Sequence, residues 1–308
     1  MRLWFGRGQL YNEGYKMLSN KQKDDIEELI RKVGDECILP HFRRISDDDV
    51  SYKDSNIDPV TAVDIEAEKL LKEGLLHILP GSLFVGEELY STDKSIIQYL
   101  NDEDKPVWIV DPIDGTDNFI AGKLGFGIMA CLVYKGEIVG SWLYEVSQQR
   151  MTLYYAPDFI LENGKKLTSS YEPMKPFKGL IGKKLHRFPE VQNLKAECQE
   201  VILDSLQGPS IICYREMLLG HIDFLIFKVT YPWDHLPGIA FLKSQGAVIS
   251  RWSGEDICLS DINEGLVVAR NPEVMKVVLE KIVSILLESE EVAGMKSFKL
   301  TCPLTCSP

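Results

Sequence analysis

Apolar residues recur at helical spacing in two stretches early in the chain. Ile26, Leu29, Ile30 and Val33 form one stripe and predict a helix over 24–37. Val63, Ala67, Leu70, Leu71 and Leu75 form a second over 61–79, which Pro80-Gly81 ends. A polar segment rich in Asp, Ser and Lys, 46–58, reads as the loop between them. Short apolar runs follow. Residues 83–85 predict a strand broken by Gly86, and 107–110 predict another that runs into Asp111-Pro112. Residues 126–134 and 137–144 flank Lys135-Gly136 as a hairpin, and 151–156 predict a third strand of that meander. The first half thus predicts a largely antiparallel sheet.

The pattern changes beyond a boundary placed at 156–175. Strands near 180–181, 211–213, 224–227, 247–249 and 266–269 alternate with helical patterns over 189–206, 233–245 and 272–287. Alternation of this kind predicts an α/β layer. The expected fold class is α+β. One half spans 20–160, a second spans 175–290, and 1–19 and 291–308 are terminal segments. No fixed-period repeat and no low-complexity stretch interrupts this plan.

Charge narrows the choice of partners. The 308 residues carry a net charge of -12, which opposes DNA, RNA and anionic lipid as bulk partners. An anionic substrate would need a bound cation to receive it. The seven cysteines are scattered without a C-x-x-C, which predicts reduced thiols rather than a disulfide framework or a zinc site. No apolar run reaches the ~18 residues of a membrane span. Residues 1–15 lack the apolar core of a secretory signal, so the expected location is cytoplasmic.

The densest chemical signal is Trp108-Ile109-Val110-Asp111-Pro112-Ile113-Asp114-Gly115-Thr116. Pro112 fixes φ and removes a donor where the strand ends. Two carboxylates then face one spot, and Gly115-Thr116 can open a turn whose N–H groups cradle an anion. Oxygen ligands beside an anion cradle suit Mg²⁺ shared with phosphate. A solvated Asx turn fits D-P-x-D alone equally well. Glu87-Glu88 follow a strand end, Asp64 opens the second helix, and Asp234 follows Pro232-Trp233 at another helix start. Each alone also fits an exposed or N-capping carboxylate. Together they place acids where α/β proteins concentrate their sites.

The set Asp58-Pro59-Val60-Thr61-x-x-Asp64, Gly86-Glu87-Glu88, Asp111 to Thr116, and Trp233-Asp234-x-x-x-Gly238 resembles, in order and spacing, the inositol monophosphatase family. These are Mg²⁺-dependent, lithium-sensitive phosphomonoesterases related to fructose-1,6-bisphosphatase. The resemblance covers 20–290 and is strongest to the generic bacterial branch. It implies a layered α-β-α-β-α sandwich, commonly as a homodimer. It implies one Mg²⁺ on Glu87, Asp111 and the Ile113 carbonyl, and a second on Asp111, Asp114 and Asp234. A third would sit beside Glu87 through waters, giving two to three ions. By the same resemblance Thr116 and Asp64 activate the attacking water, Glu87 assists, and the N–H groups of Gly115 and Thr116 grip the phosphate.

Expected substrate contacts are Lys53, Asp114, Arg215 and Phe227. Lys53 stands where the family often carries a lysine near the site, although a solvated loop lysine fits the position too. Phe227 occupies the place of a glutamate that binds inositol hydroxyls in the family, and Gly208-Pro209-Ser210-Ile211 replaces a small-residue stretch. Loss of that acceptor removes polyol hydrogen bonds. Phe227, Tyr231 and Arg215 would instead favour a flatter or more anionic leaving group, unless Phe227 is an ordinary strand residue. His235 is expected on a helix surface. The resemblance leaves as substrates myo-inositol monophosphate, a nucleotide 3′-phosphate, histidinol phosphate or a sugar phosphate. It also leaves a non-catalytic role beside the transcription machinery. No direct nucleic-acid or membrane contact is expected.

Overall fold

The computed structural model describes residues 17–45, 50–52, 59–156, 159–167, 171–182, 185, 199–203, 208–261 and 264–288. Helix α1 (Asn20–Lys32) is opened by a capping box: Ser19 accepts from the Gln22 N–H, and the Gln22 side chain accepts from the Ser19 N–H. It continues through a π-helical turn, Val33–Ile38. Strand β1 (Val50–Tyr52), inside the segment read as loop, pairs antiparallel with β2 (Pro59–Thr61), just beyond it. Helix α2 (Ala62–Ile78) starts from Thr61, whose hydroxyl accepts from the Val63 N–H.

The first sheet has seven strands in the order β3-β4-β5-β6-β7-β8-β9. They are β3 (Leu83–Gly86), β4 (Val107–Asp114), β5 (Gly127–Tyr134), β6 (Glu137–Glu145), β7 (Arg150–Tyr155), β8 (Phe159–Glu162) and β9 (Lys165–Leu167). Only β3 and β4 pair in parallel. The short helices α3 (Glu87–Thr92) and α4 (Thr116–Ile120) follow directly on β3 and β4. Strand β4 runs past the expected end at 110. Pro112 cannot donate to the ladder, so the pairing with β5 skips from Asp111↔Met129 to Asp114↔Gly127 as a bulge rather than stopping.

The second sheet has five strands ordered β11-β10-β12-β14-β13. These are β10 (Phe177–Ile181), β11 (Val201–Leu203), β12 (Phe224–Phe227), β13 (Val248–Arg251) and β14 (Leu266–Ala269). Helices α5 (Ser210–Leu218), α6 (Pro232–Ser244) and α7 (Pro272–Val278) accompany it. Two expectations are corrected here. Residues 211–213 are helical, because Ile211, Tyr214, Met217 and Leu218 bury a helical stripe behind Pro209 that outweighs the β-prone triplet. The helix expected over 189–206 contains strand β11, whose Val201 faces the core. Most of the rest of that span, 189–198 and 204–206, lies outside the described residues.

Three apolar clusters define the layers. One face of the first sheet packs on α1 and α2, through Ile26, Ile30, Ala67, Leu71, Trp108 and Trp142. Its other face packs on α5 and α6, through Val85, Ile109, Met129, Tyr214 and Ile239, and the same cluster reaches Leu225 and Val268 of the second sheet. The far side of the second sheet packs on α7 and the turns that follow, through Phe224, Val267, Val274 and Val278. The order is α-β-α-β-α, as expected.

Candidate metal and phosphate site

Parallel pairing sets the site. Gly86 of β3 lies opposite Val110 of β4, so the next residues, Glu87 and Asp111, emerge side by side where β3 ends and β4 enters its bulge. Asp234 arrives from the other half, in the first turn of α6, which Pro232 starts. One carboxylate oxygen from each of Glu87, Asp111 and Asp234 lies within 4.8 Å of the others. Asp111 is buried, and the other two are half-buried. Three carboxylates at that spacing repel one another unless a cation or protons intervene. An all-oxygen donor set suits a hard divalent ion such as Mg²⁺, so the residues present fit the metal that the family resemblance implies.

Asp64 sits in the first turn of α2. Its Oδ2 accepts from the Thr61 N–H at 2.9 Å and the Thr61 hydroxyl at 2.5 Å, and its Oδ1 lies 3.1 Å from Thr116 Oγ1. Burial pushes the Asp64 carboxyl up to about 6, against the hydrogen bonds from Thr61, and the charge of Glu87 adds to the rise. Thr116 Oγ1 also lies 2.9 Å from the Ile113 carbonyl. Thr116, Asp64 and Ile113 are thus brought together, and Glu87 is close enough to act on Asp64.

Asp114 is arranged differently. Its Oδ1 accepts from the Ser210 N–H at 3.2 Å and its Oδ2 from the Ile211 N–H at 2.6 Å, both at the start of α5. Burial pushes its carboxyl up, those two bonds oppose the shift, and Glu87 adds to it. Asp114 therefore stands near Glu87 but outside the trio of Glu87, Asp111 and Asp234, anchored to the second half. Gly115 adopts φ +89, and a Cβ there would come within 2.9 Å of Pro209 Cγ. That turn lets α4 begin at Thr116.

The expected substrate contacts are scattered. Lys53 lies outside the described residues, as does Asp58. The guanidinium of Arg215 is occupied by Glu145 (Nε to Oε1, 3.1 Å) and Glu162 (Nη2 to Oε1, 3.1 Å), where it ties α5 to β6 and β8. Phe227 packs on the His235 ring (centroids 4.5 Å apart) and stacks on Tyr214 at 6.0 Å. His235 is buried rather than on the helix surface. Its Nε2 faces the Val229 carbonyl at 3.2 Å and therefore carries the proton, leaving Nδ1 to accept from the Tyr214 hydroxyl at 3.1 Å. The backbone permits this because a Cβ on Gly238 would collide with the Tyr214 ring.

Two features escaped the sequence reading. Glu68, one turn beyond Asp64, accepts from the Glu88 N–H at 2.7 Å and the Leu89 N–H at 2.8 Å. Tyr90 of α3 packs on Trp233 of α6 with centroids 5.0 Å apart, and Tyr231 stacks on the same indole at 5.3 Å. Only the i, i+4 spacing of Asp64 and Glu68 was visible as a signal.

Solved structures share this layered architecture. The structure titled as an IMPase/NADP phosphatase complexed with NADP and Ca²⁺ superposes with TM-score 0.73 at 18% identity, covering 89% of this chain and 98% of that one. An inositol monophosphatase of Thermotoga maritima gives 0.68 at 21% identity, covering 87% of this chain and 100% of that one. A match to the inositol monophosphatase family spans residues 21–288, and the chain belongs to that family. Among curated relatives, the fructose-1,6-bisphosphatase/inositol-1-monophosphatase of Thermotoga maritima is 24% identical over 86% of this chain and 96% of its own. The chloroplastic bifunctional phosphatase IMPL2 of Arabidopsis thaliana is 26% identical over 81% and 70% respectively. A putative Nus factor SuhB of Neisseria meningitidis is 28% identical over 74% and 85%.

Proposed function

We propose that the protein is a Mg²⁺-dependent phosphomonoesterase that cleaves a small phosphate ester by attack of water. The carrying observation is the convergence of Glu87, Asp111 and Asp234 from both halves of the chain. These three side chains would hold the ions, with the Ile113 carbonyl and Asp114 beside them. Bound ions would neutralise the phosphate and make water a stronger acid. The Thr116 hydroxyl, donating to Asp64 Oδ1, keeps a lone pair to take a proton from the attacking water. The two Thr61 donors hold Asp64 in place for that transfer. The left-handed turn at Gly115 would let the N–H groups of Gly115 and Thr116 receive the phosphate.

For the leaving group, myo-inositol monophosphate is the first reading. A second is favoured by Phe227, a half-buried ring backed by the buried His235 and Tyr214, which stands where the resemblance expects a carboxylate acceptor. Such a ring suits a planar group such as a nucleoside. Phosphate release should be measured over inositol, nucleoside, histidinol and sugar monophosphates, with Mg²⁺, without it, and with Li⁺ added. Hydrolysis of at least one ester only in the presence of Mg²⁺ is expected. No release from any of them would refute the enzymatic reading and leave a non-catalytic role beside the transcription machinery.

A further inference from the structure

Helix α3 carries Glu87 as its first residue and is only one and a half turns long, Glu87–Thr92. No side chain of its own caps its start: Gly86 occupies the N-cap. A helix this short has little stability in isolation, and its first N–H groups need acceptors. Glu68 supplies them from a different element. Its carboxylate reaches across from α2 and takes the N–H of Glu88 on Oε2 (2.7 Å) and that of Leu89 on Oε1 (2.8 Å). Glu68 is 5% exposed and Glu88 is 8% exposed, so water does not compete freely for these bonds. The fit leaves no slack, because a Cβ on Gly86 would run into Glu68 Oε2.

We infer that Glu68 is a positioning residue for the metal centre: by gripping the backbone beside Glu87, it fixes the direction in which Glu87 presents its carboxylate. Both Glu68 oxygens are committed to backbone donors, so Glu68 acts through Glu87 rather than as a ligand. Helix α2 then serves the site twice from one face, through Asp64 to Thr116 and through Glu68 to α3. Charge-assisted bonds to backbone N–H groups are the strong kind, and carboxylates that orient metal ligands typically govern affinity by 10–100-fold.

The inference rests on Glu87 being a metal ligand. The test is calorimetric titration of Mg²⁺ into wild type, Glu68→Gln, Glu68→Ala and Gly86→Ala, each verified as folded by circular dichroism, with phosphate release at saturating Mg²⁺ alongside. Glu68→Ala should weaken Mg²⁺ binding by about tenfold or more, with kcat at saturating Mg²⁺ within about threefold of wild type. Glu68→Gln keeps one acceptor and should fall between wild type and Glu68→Ala. Gly86→Ala, which crowds the same grip without touching a carboxylate, should weaken binding in the same direction and keeps the test alive should Glu68→Ala not fold. Equal Mg²⁺ affinity in wild type and the folded variants, with only a lower melting temperature, would reduce Glu68 to a structural cap and overturn the inference. Absence of Mg²⁺ binding in wild type would instead undo the metal centre itself.

Discussion

At the residue scale, Asp111 carries the most. It is 2% exposed and has a carboxylate oxygen within 4.8 Å of those of both Glu87 and Asp234. Asp111→Asn keeps the volume but removes the charge that both neighbours need a cation to balance. Hydrolysis should fall by at least about 10³-fold while circular dichroism stays unchanged. Near-normal turnover with Mg²⁺ still required would count against the proposed mechanism. Asp64 makes a separate prediction about pH. Its carboxyl rises from 3.8 to about 6 on folding, so the folded chain holds this proton more tightly than the unfolded one. That contribution to stability is complete below about pH 4 and is lost as pH climbs through about 6, on the order of 3 kcal/mol at most. Melting temperatures of metal-stripped protein should therefore decline across that interval, and Asp64→Asn should flatten the decline. Identical slopes in both proteins would contradict the assignment. Asp64, Glu87, Asp111 and Asp234 were legible in the sequence because each follows a local sign, a strand end or a helix start. Glu68 was not, because its partners are backbone groups twenty or more positions away.

At the scale of elements, the turn from β4 into α4 decides where Asp114 and Thr116 point. Gly115 holds φ +89 with Pro209 Cγ and the Gly125 carbonyl about to touch any added carbon. Gly115→Ala should cost roughly 1–3 kcal/mol, measured by urea unfolding, and should separate Asp114 from the Ser210 and Ile211 N–H groups it now accepts from. Unchanged stability would mean that the turn relaxes without strain. Helix α2 could be read from periodicity, since its buried residues recur at helical spacing, whereas strands β4 to β7 were legible as short continuous apolar runs bounded by turn residues, because they are buried on both faces. The segment at 211–213 could not. Ile211, Ile212 and Cys213 are as good a strand as a helix until Tyr214 and Met217 are seen to share their buried side.

At the scale of the whole molecule, the two sheets are joined by a middle layer and by charge. Arg215 of α5 meets Glu145, only 3% exposed on its side chain, and Glu162 of the first sheet. Arg150 shares Glu145 at 3.1 Å but is more exposed. Arg215→Met removes the better-shielded countercharge but leaves Glu145 its hydrogen bonds from Arg150, and should cost about 1–2 kcal/mol in thermal or urea unfolding, with KM for the ester little changed. The reverse pattern, a raised KM with unaltered stability, would restore Arg215 to the substrate contacts expected from sequence. Such a pairing is invisible in one dimension, since Glu145, Glu162 and Arg215 lie on three different elements. The layered order itself was implied by the family resemblance; the segregation of strand and helix patterns along the chain agrees with it without fixing it. The division of ligands between the layers has one more consequence. Glu87 and Asp111 come from the β3–α3 turn and strand β4 of the first sheet, and Asp234 from α6 of the middle layer, so any cation held there closes a bridge across the seam between that sheet and the helix packed on it. Affinity for that cation is thereby a gauge of how well the two sides are seated, and a substitution deep in the seam, far from any oxygen ligand, will register as a higher demand for metal.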